Sequence, residues 1–205
     1  MNIVLLGPAG SGKGYISNYL INNLKFSHIS TGELCRKEIA KDTDLGKYIA
    51  SLINVGILVP DEQITAMLKS EIDKRDNQNL IFDGYPRTLN QARMLDDICK
   101  IDLVFLIDVP KELVIKRLLA RRYCEKCSSG YSLLNYDNDK CEKCGGNLIS
   151  RDDDNEQSII RRLDKFDNEI GALKDYYKYK LYILNNSENN ESVFKNIDNI
   201  LKNYI

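Results

Sequence analysis

No surplus of positive charge stands in this 205-residue chain: 29 Lys and Arg face 30 Asp and Glu, for a formal net charge of −1. Phosphate neutralisation supplies most of a dedicated nucleic-acid binder's affinity, so this balance argues against DNA or RNA as the main partner. No apolar run approaches the roughly 20 residues a bilayer crossing needs, so no membrane partner is expected. The stretch Met1-Asn2-Ile3-Val4-Leu5-Leu6 has no basic lead-in, and Gly7-Pro8 cuts the run short. It does not read as a secretory leader, and a cytoplasmic location is expected. Tandem repeats are absent, and no segment is biased enough to read as disordered. A single domain of this length buries roughly 70% of the surface its unfolded chain exposes, so it needs no disulfide staple. The six cysteines therefore read as thiols or metal ligands.

What is present is alternation. Ile3–Leu6, Leu80–Phe82, Leu103–Val109 and Tyr182–Leu184 read as buried strands too short for helices, and His28 falls in a further short strand. Tyr15–Leu24, Asp61–Lys74, Thr88–Cys99, Lys111–Arg122 and Glu156–Tyr179 read as helices, the last started by the acidic run Asp152 to Asn155. This pattern predicts an α/β fold, a parallel sheet flanked by helices. Ser30–Val59, with helical pieces and no convincing strand, and the turn-rich Cys124–Leu148 break the rhythm and read as insertions on one core.

Gly7-Pro8-Ala9-Gly10-Ser11-Gly12-Lys13 lies between a predicted strand and a predicted helix. Glycines let successive backbone N–H groups curl around an anion, the helix adds its positive dipole end, and Lys13 reaches terminal phosphates. The usual motif continues with Ser or Thr, which helps to hold magnesium, whereas Gly14 and Tyr15 follow here.

Three further strings stand in order: Ser30-Thr31-Gly32-Glu33-Leu34-Cys35-Arg36; Asp83-Gly84-Tyr85-Pro86-Arg87-Thr88 with Gln91 one turn on; and Arg151-Asp152-Asp153-Asp154-Asn155-Glu156 ahead of Arg161-Arg162. With the phosphate loop, they make the chain resemble the adenylate kinase family over essentially its whole length. The resemblance implies a P-loop nucleoside-monophosphate kinase fold with a small zinc-binding lid, and reversible transfer from ATP to AMP giving two ADP. It implies a core of residues 1–29, 60–120 and 160–205, an AMP-binding segment of 30–59 and a lid of 121–159, in a monomer. Thr31, Arg36, Gly84, Tyr85, Pro86, Arg87 and Gln91 would hold AMP, with Ile57, Leu58 and Val59 lining the adenine pocket and Gln91 reading the base. Gly10, Ser11, Gly12, Lys13, Gly14, Tyr15, Arg117, Arg121, Gly130, Tyr131 and Glu188 would hold ATP. Arg151 and Arg162 would close onto the transferring phosphoryl group beside AMP, acting with Lys13, Arg87 and Arg121, and Asp83 would orient hydrated Mg2+. Planar guanidinium forks suit phosphate oxygens, and such transfer asks for positioning and charge neutralisation without a covalent nucleophile. Tyr15 in place of the usual hydroxyl residue predicts an active enzyme with turnover below its relatives, and Glu33 where Asp is common is a milder change.

Cys124-Glu125-Lys126-Cys127 and Cys141-Glu142-Lys143-Cys144 flank thirteen polar residues. Two CxxC knuckles suit tetrahedral thiolate coordination, and structural Zn2+ is expected, with iron, a redox pair or idle thiols as the other readings. Cys35 and Cys99 stand apart and read as buried. Two competing classes remain: a kinase acting on UMP, CMP or GMP, which Gln91 and the lid length disfavour, and a zinc-ribbon module that uses nucleotide as a switch on nucleic acid. The latter would want a basic zinc segment and has no use for Asp83 to Arg87.

Overall fold

The computed structural model describes residues 1–75, 79–187 and 190–204. Five parallel strands form the central sheet in the order β2 (Ser27–Ser30), β3 (Leu80–Asp83), β1 (Ile3–Leu6), β4 (Leu103–Asp108), β8 (Leu181–Asn185). The three central strands β1, β3 and β4 are nearly continuous apolar runs because helices cover both faces, whereas the edge strands β2 and β8 are more polar or more exposed. Alternate residues separate the two cores. Val4, Leu6, Phe82 and Val104 face α4 (Asp61–Ile72), α5 (Leu89–Ile98) and α7 (Glu156–Tyr176), whereas Ile3, Leu5, Ile81 and Phe105 face α1 (Lys13–Leu24) and α8 (Asn190–Leu201). A third cluster, Val114, Leu118, Ile159 and Leu163, joins α6 (Lys111–Leu119) to α7.

Between β2 and α4 the chain forms α2 (Thr31–Ile39) and α3 (Asp44–Ile53). Short polar side chains start these helices: Ser30 accepts from the Glu33 N–H, Thr43 from Gly46, Thr88 from Gln91 and Asn155 from Ser158. After α6 a second sheet is antiparallel, ordered β6 (Gly130–Ser132), β5 (Arg121–Cys124), β7 (Leu148–Ile149). The helix expected through Arg122 thus ends at Leu119, and Arg121 and Arg122 begin a strand that pairs with Ser132 and Tyr131. Cross-strand pairing prevails over the good helical propensity of arginine. The final helix, α8, has no counterpart among the expected elements. No described helix is long and apolar enough to cross a membrane.

Candidate active site

The carboxyl ends of β1, β3 and β4 share one rim of the sheet, the edge at which open α/β folds bind ligands. From β1 the loop turns through Gly12, whose φ is +98° and where a Cβ would strike the Asn186 side chain, so only glycine fits. No side chain caps α1 among the described residues, which leaves its first N–H groups and dipole end for an anion. Lys13 Nζ lies over the loop, donating to the Gly7 and Pro8 carbonyls at 2.8 Å each. Buried Ser11 Oγ has no hydrogen-bond partner among the described residues. Asn186 ties the end of β8 to this loop: its Nδ2 donates to the Ser11 carbonyl at 2.7 Å, and its own carbonyl accepts from Arg117 at 2.9 Å. Glu188, expected here, lies outside the described residues.

Tyr15 resolves the departure in the motif by leaving the loop. Its ring stacks on Phe194 of α8 with centroids 5.1 Å apart, and Phe194 stacks in turn on Tyr19 at 4.0 Å. The outer ring is 51% exposed. Gly14 is open, with nothing near where a Cβ would stand.

Opposite the loop, Asp83 ends β3, with its carboxylate 3.4 Å from His28 Nε2, longer than a good hydrogen bond. Burial alone would raise the Asp83 carboxyl, but His28, Lys13 and Arg87 together hold it below the usual carboxylate range. Burial brings the Lys13 ammonium down to about 8, with Asp83 opposing and Arg87, Arg121 and Arg162 adding to the fall. Arg151 lies 5.9 Å above the Tyr123 ring and is lowered to about 10, first by burial and then by Arg121 and Arg36. Cations that depress one another in a cleft are a prepared site for a polyanion.

Two carboxylates that the sequence reading left without a role hold this cluster. Asp154, its side chain 2% exposed, accepts two hydrogen bonds from Arg121 at 2.6 and 2.7 Å and one from Arg162 at 3.1 Å. Asp153 accepts from Arg162 at 2.8 Å. The acidic run beside Arg151 is the available signal; it marks a helix start and carries part of the family resemblance, but neither gives Asp153 or Asp154 a partner.

Gly84 has φ +79° and lies against Thr31 and Arg87; its carbonyl accepts from Thr31 Oγ1 and Arg87 Nε, both at 2.8 Å. Arg36, exposed on α2, faces the same cleft through its charge on Arg151. Tyr85 turns into the core, where its hydroxyl meets Thr65 Oγ1, and Pro86 is buried beside it. Ile57, Leu58 and Val59 line a cavity of about 500 Å³ together with Gly56, Asp61, Thr88, Arg161 and Lys165. Arg161, to which no role had been given, donates to the Val55 carbonyl at 3.0 Å and so joins α7 to the end of α3. Gln91 is buried. Its Oε1 accepts from the Arg87 N–H at 2.7 Å, and its Nε2 donates to Asp61 at 2.7 Å.

The cysteines of the small sheet form a separate centre. The sulfurs of Cys124, Cys127, Cys141 and Cys144 all lie within 4.8 Å of one another, and none is in a disulfide. Zn–S bonds of about 2.3 Å put tetrahedral sulfurs about 3.8 Å apart, so the four fit a metal ion. Gly130 and Tyr131 lie on β6; the Tyr131 hydroxyl is 3.1 Å from Cys141 Sγ and its ring packs on Tyr136. Cys35 and Cys99 are buried elsewhere.

A phosphate loop at the rim of a parallel sheet, a second cleft beside it and an arginine cluster between them define a nucleoside-monophosphate kinase. The family model described as adenylate kinase matches residues 5–182. The adenylate kinase of Clostridium tetani is 38% identical over 98% of this chain and 98% of its own length. That of Archaeoglobus fulgidus is also 38% identical over 98% of both chains, and that of Mesoplasma florum is 42% identical over 91% of this chain and 93% of its own. The chain belongs to the adenylate kinase family.

Proposed function

We propose that the protein transfers the γ-phosphoryl group of ATP reversibly to AMP, giving two ADP, as a cytoplasmic monomer that depends on Mg2+. ATP occupies the phosphate loop, with Lys13 released from the Gly7 and Pro8 carbonyls onto the β- and γ-phosphates. Backbone N–H groups from Gly10 to Tyr15 cradle the phosphates, while Arg117 and the Gly130–Tyr131 strand flank the nucleoside. AMP enters between the 30–59 segment and the core: Thr31, Arg36, Gly84 and Arg87 take its phosphate, and Ile57 to Val59 its base. The 121–159 segment closes as a lid and brings Arg121, Arg151 and Arg162 to the transferring group. Asp83 would hold Mg2+ through water, and the ion would supply charge neutralisation for the phosphates. Closure excludes water, so the phosphoryl group goes to AMP and is not hydrolysed. Zn2+ on the four cysteines is structural, because four protein ligands leave no open position.

The observation that carries this reading is the phosphate loop with Lys13 lying over it, beside Arg121 and Arg162 gathered on Asp154. Preorganised charge of that kind is the main demand of phosphoryl transfer. A coupled assay with MgATP and AMP, GMP, CMP or UMP tests it. Turnover with AMP well above the others is expected. Turnover with another acceptor keeps the class and moves the specificity, and no turnover from folded, metal-replete protein overturns the reading.

A further inference from the structure

Gln91 has two ends, and the fold uses one half of each. Its Oε1 faces the backbone N–H of Arg87, a group that can only donate, and its Nε2 faces Asp61 Oδ1. An ionised carboxylate can only accept. Neither partner is ambivalent, so the side-chain amide has one orientation; turned over, it would set donor against donor and acceptor against acceptor. Asp61 is itself held, because its Oδ2 accepts from Asn90 Nδ2 at 2.8 Å and lies 3.4 Å from Thr88 Oγ1. Asp61 and Thr88 line the cavity bounded by Ile57 to Val59, and Gln91, 2% exposed, is joined to that lining by its hydrogen bond to Asp61.

What Gln91 has left is one N–H on Nε2 and one lone pair on Oε1. That pair matches the edge of a 6-aminopurine, whose N1 accepts and whose amino group donates. A 6-oxopurine presents the reverse, an N1–H donor and an O6 acceptor, and would need the amide turned over. We infer that Asp61 is a specificity-positioning residue: by locking the amide of Gln91, it makes the monophosphate site select 6-aminopurine over 6-oxopurine nucleotides. The inference rests on the proposed AMP site and deepens it, since Gln91 alone could read either edge and the choice lies in the two groups that fix it, the Arg87 N–H on Oε1 and Asp61 on Nε2, of which Asp61 is the side chain that can be exchanged.

IMP is the sharpest probe, because it differs from AMP only at N1 and C6 and adds no bulk. The test measures kcat/KM for AMP and for IMP, at saturating MgATP, in the wild-type enzyme and in Asp61→Asn and Asp61→Glu. Asparagine keeps the volume but can present a donor to Gln91, so the AMP-over-IMP ratio should fall by about tenfold or more, while the KM for ATP holds. Glutamate keeps an acceptor-only group, so its ratio should stay nearer that of the wild type even if both efficiencies drop. Should Asp61→Asn not fold, Asp61→Ala takes its place: it removes the acceptor from Nε2 and leaves the Arg87 N–H alone to orient the amide, so the ratio should fall in the same direction by a smaller factor. Equal losses on AMP and IMP, with the ratio unchanged, would mean that Asp61 only supports α4, and would overturn the inference. A wild-type enzyme that prefers no 6-aminopurine would instead overturn the AMP reading, an outcome visible before any variant is made.

Discussion

The central sheet and the small sheet of residues 121–149 become ordered through different physics. In the first, Val4, Phe82, Leu80 and Phe105 are wholly buried between two layers of helices. In the second, the strands run two to four residues, and Leu133, Leu134 and Ile149 are exposed. Little apolar burial is available there to offset an ordering cost of about 1–2 kcal/mol per residue. Tight turns hold part of it, as where the Cys141 N–H donates to the Gly146 carbonyl at 2.8 Å, and the cysteine cluster joins the two knuckles. One region therefore depends on packing and the other on its four-cysteine site and the metal proposed for it, so each should fail separately.

The largest effect should come from removing the metal. Structural zinc contributes about 10–16 kcal/mol to the folding of small zinc modules, far more than the small sheet can replace. Stripping the protein with a strong chelator, or Cys141→Ser, should abolish amide-exchange protection across 121–149 and leave the five-stranded sheet protected. Phosphoryl transfer should fall by about a hundredfold or more, since Arg121 and Arg151 are anchored at the edges of that segment. Unchanged protection in the stripped protein would break the comparison. The reverse lesion is Phe82→Ala, which opens a cavity under β3 and should cost about 3–5 kcal/mol. Its melting temperature should drop for the whole chain even with the metal bound; a transition confined to the small sheet would contradict the division.

Legibility in the sequence follows the same line. Ile3–Leu6 and Leu103–Asp108 were readable because apolar runs bounded by turn residues have few alternatives, and the four cysteines because coordination geometry dictates their spacing. The phosphate loop was readable from its glycines. Asp61, Asp153 and Asp154 were not, because a carboxylate's importance lies in what approaches it across the fold. Asp61 meets a Gln91 side chain thirty positions away, and Asp154 meets Arg121 thirty-three positions away. Helix α6 stops short for the same reason: the strand that recruits Arg121 becomes visible only when Ser132 lies beside it.

Lys13 stands where the two regions meet, since Asp83 reaches it from the core and Arg121 from the small sheet. Its folded value of about 8 is below the ordinary 10.5, so between those values the unfolded chain binds more protons. Stability from this group should therefore rise with pH through that window. ATP phosphates should return the ammonium to its ordinary range, so nucleotide binding near pH 8.5 should take up part of a proton. Titration calorimetry in buffers of different ionisation enthalpy measures it; no uptake, or release, would mean that burial, with the arginines behind it, does not depress the Lys13 ammonium in the free enzyme.

The smallest effect concerns Tyr15, whose ring belongs to the packed region although its backbone belongs to the phosphate loop. Its stack on Phe194 is worth about 0.5–1.5 kcal/mol beyond area burial, and the outer face is open, so the lower part of that range applies. Tyr15→Thr should lower the melting temperature slightly and raise turnover severalfold, by restoring a hydroxyl beside the phosphates where only a backbone N–H remains. Phe194→Leu is the control, because it loosens the same stack without placing a hydroxyl in the loop, and it should lower stability without raising turnover. If Tyr15→Thr loses stability and leaves both ATP affinity and turnover unchanged, Tyr15 acts only in joining α1 to α8. The departure from the usual motif would then be a packing solution, with no kinetic consequence.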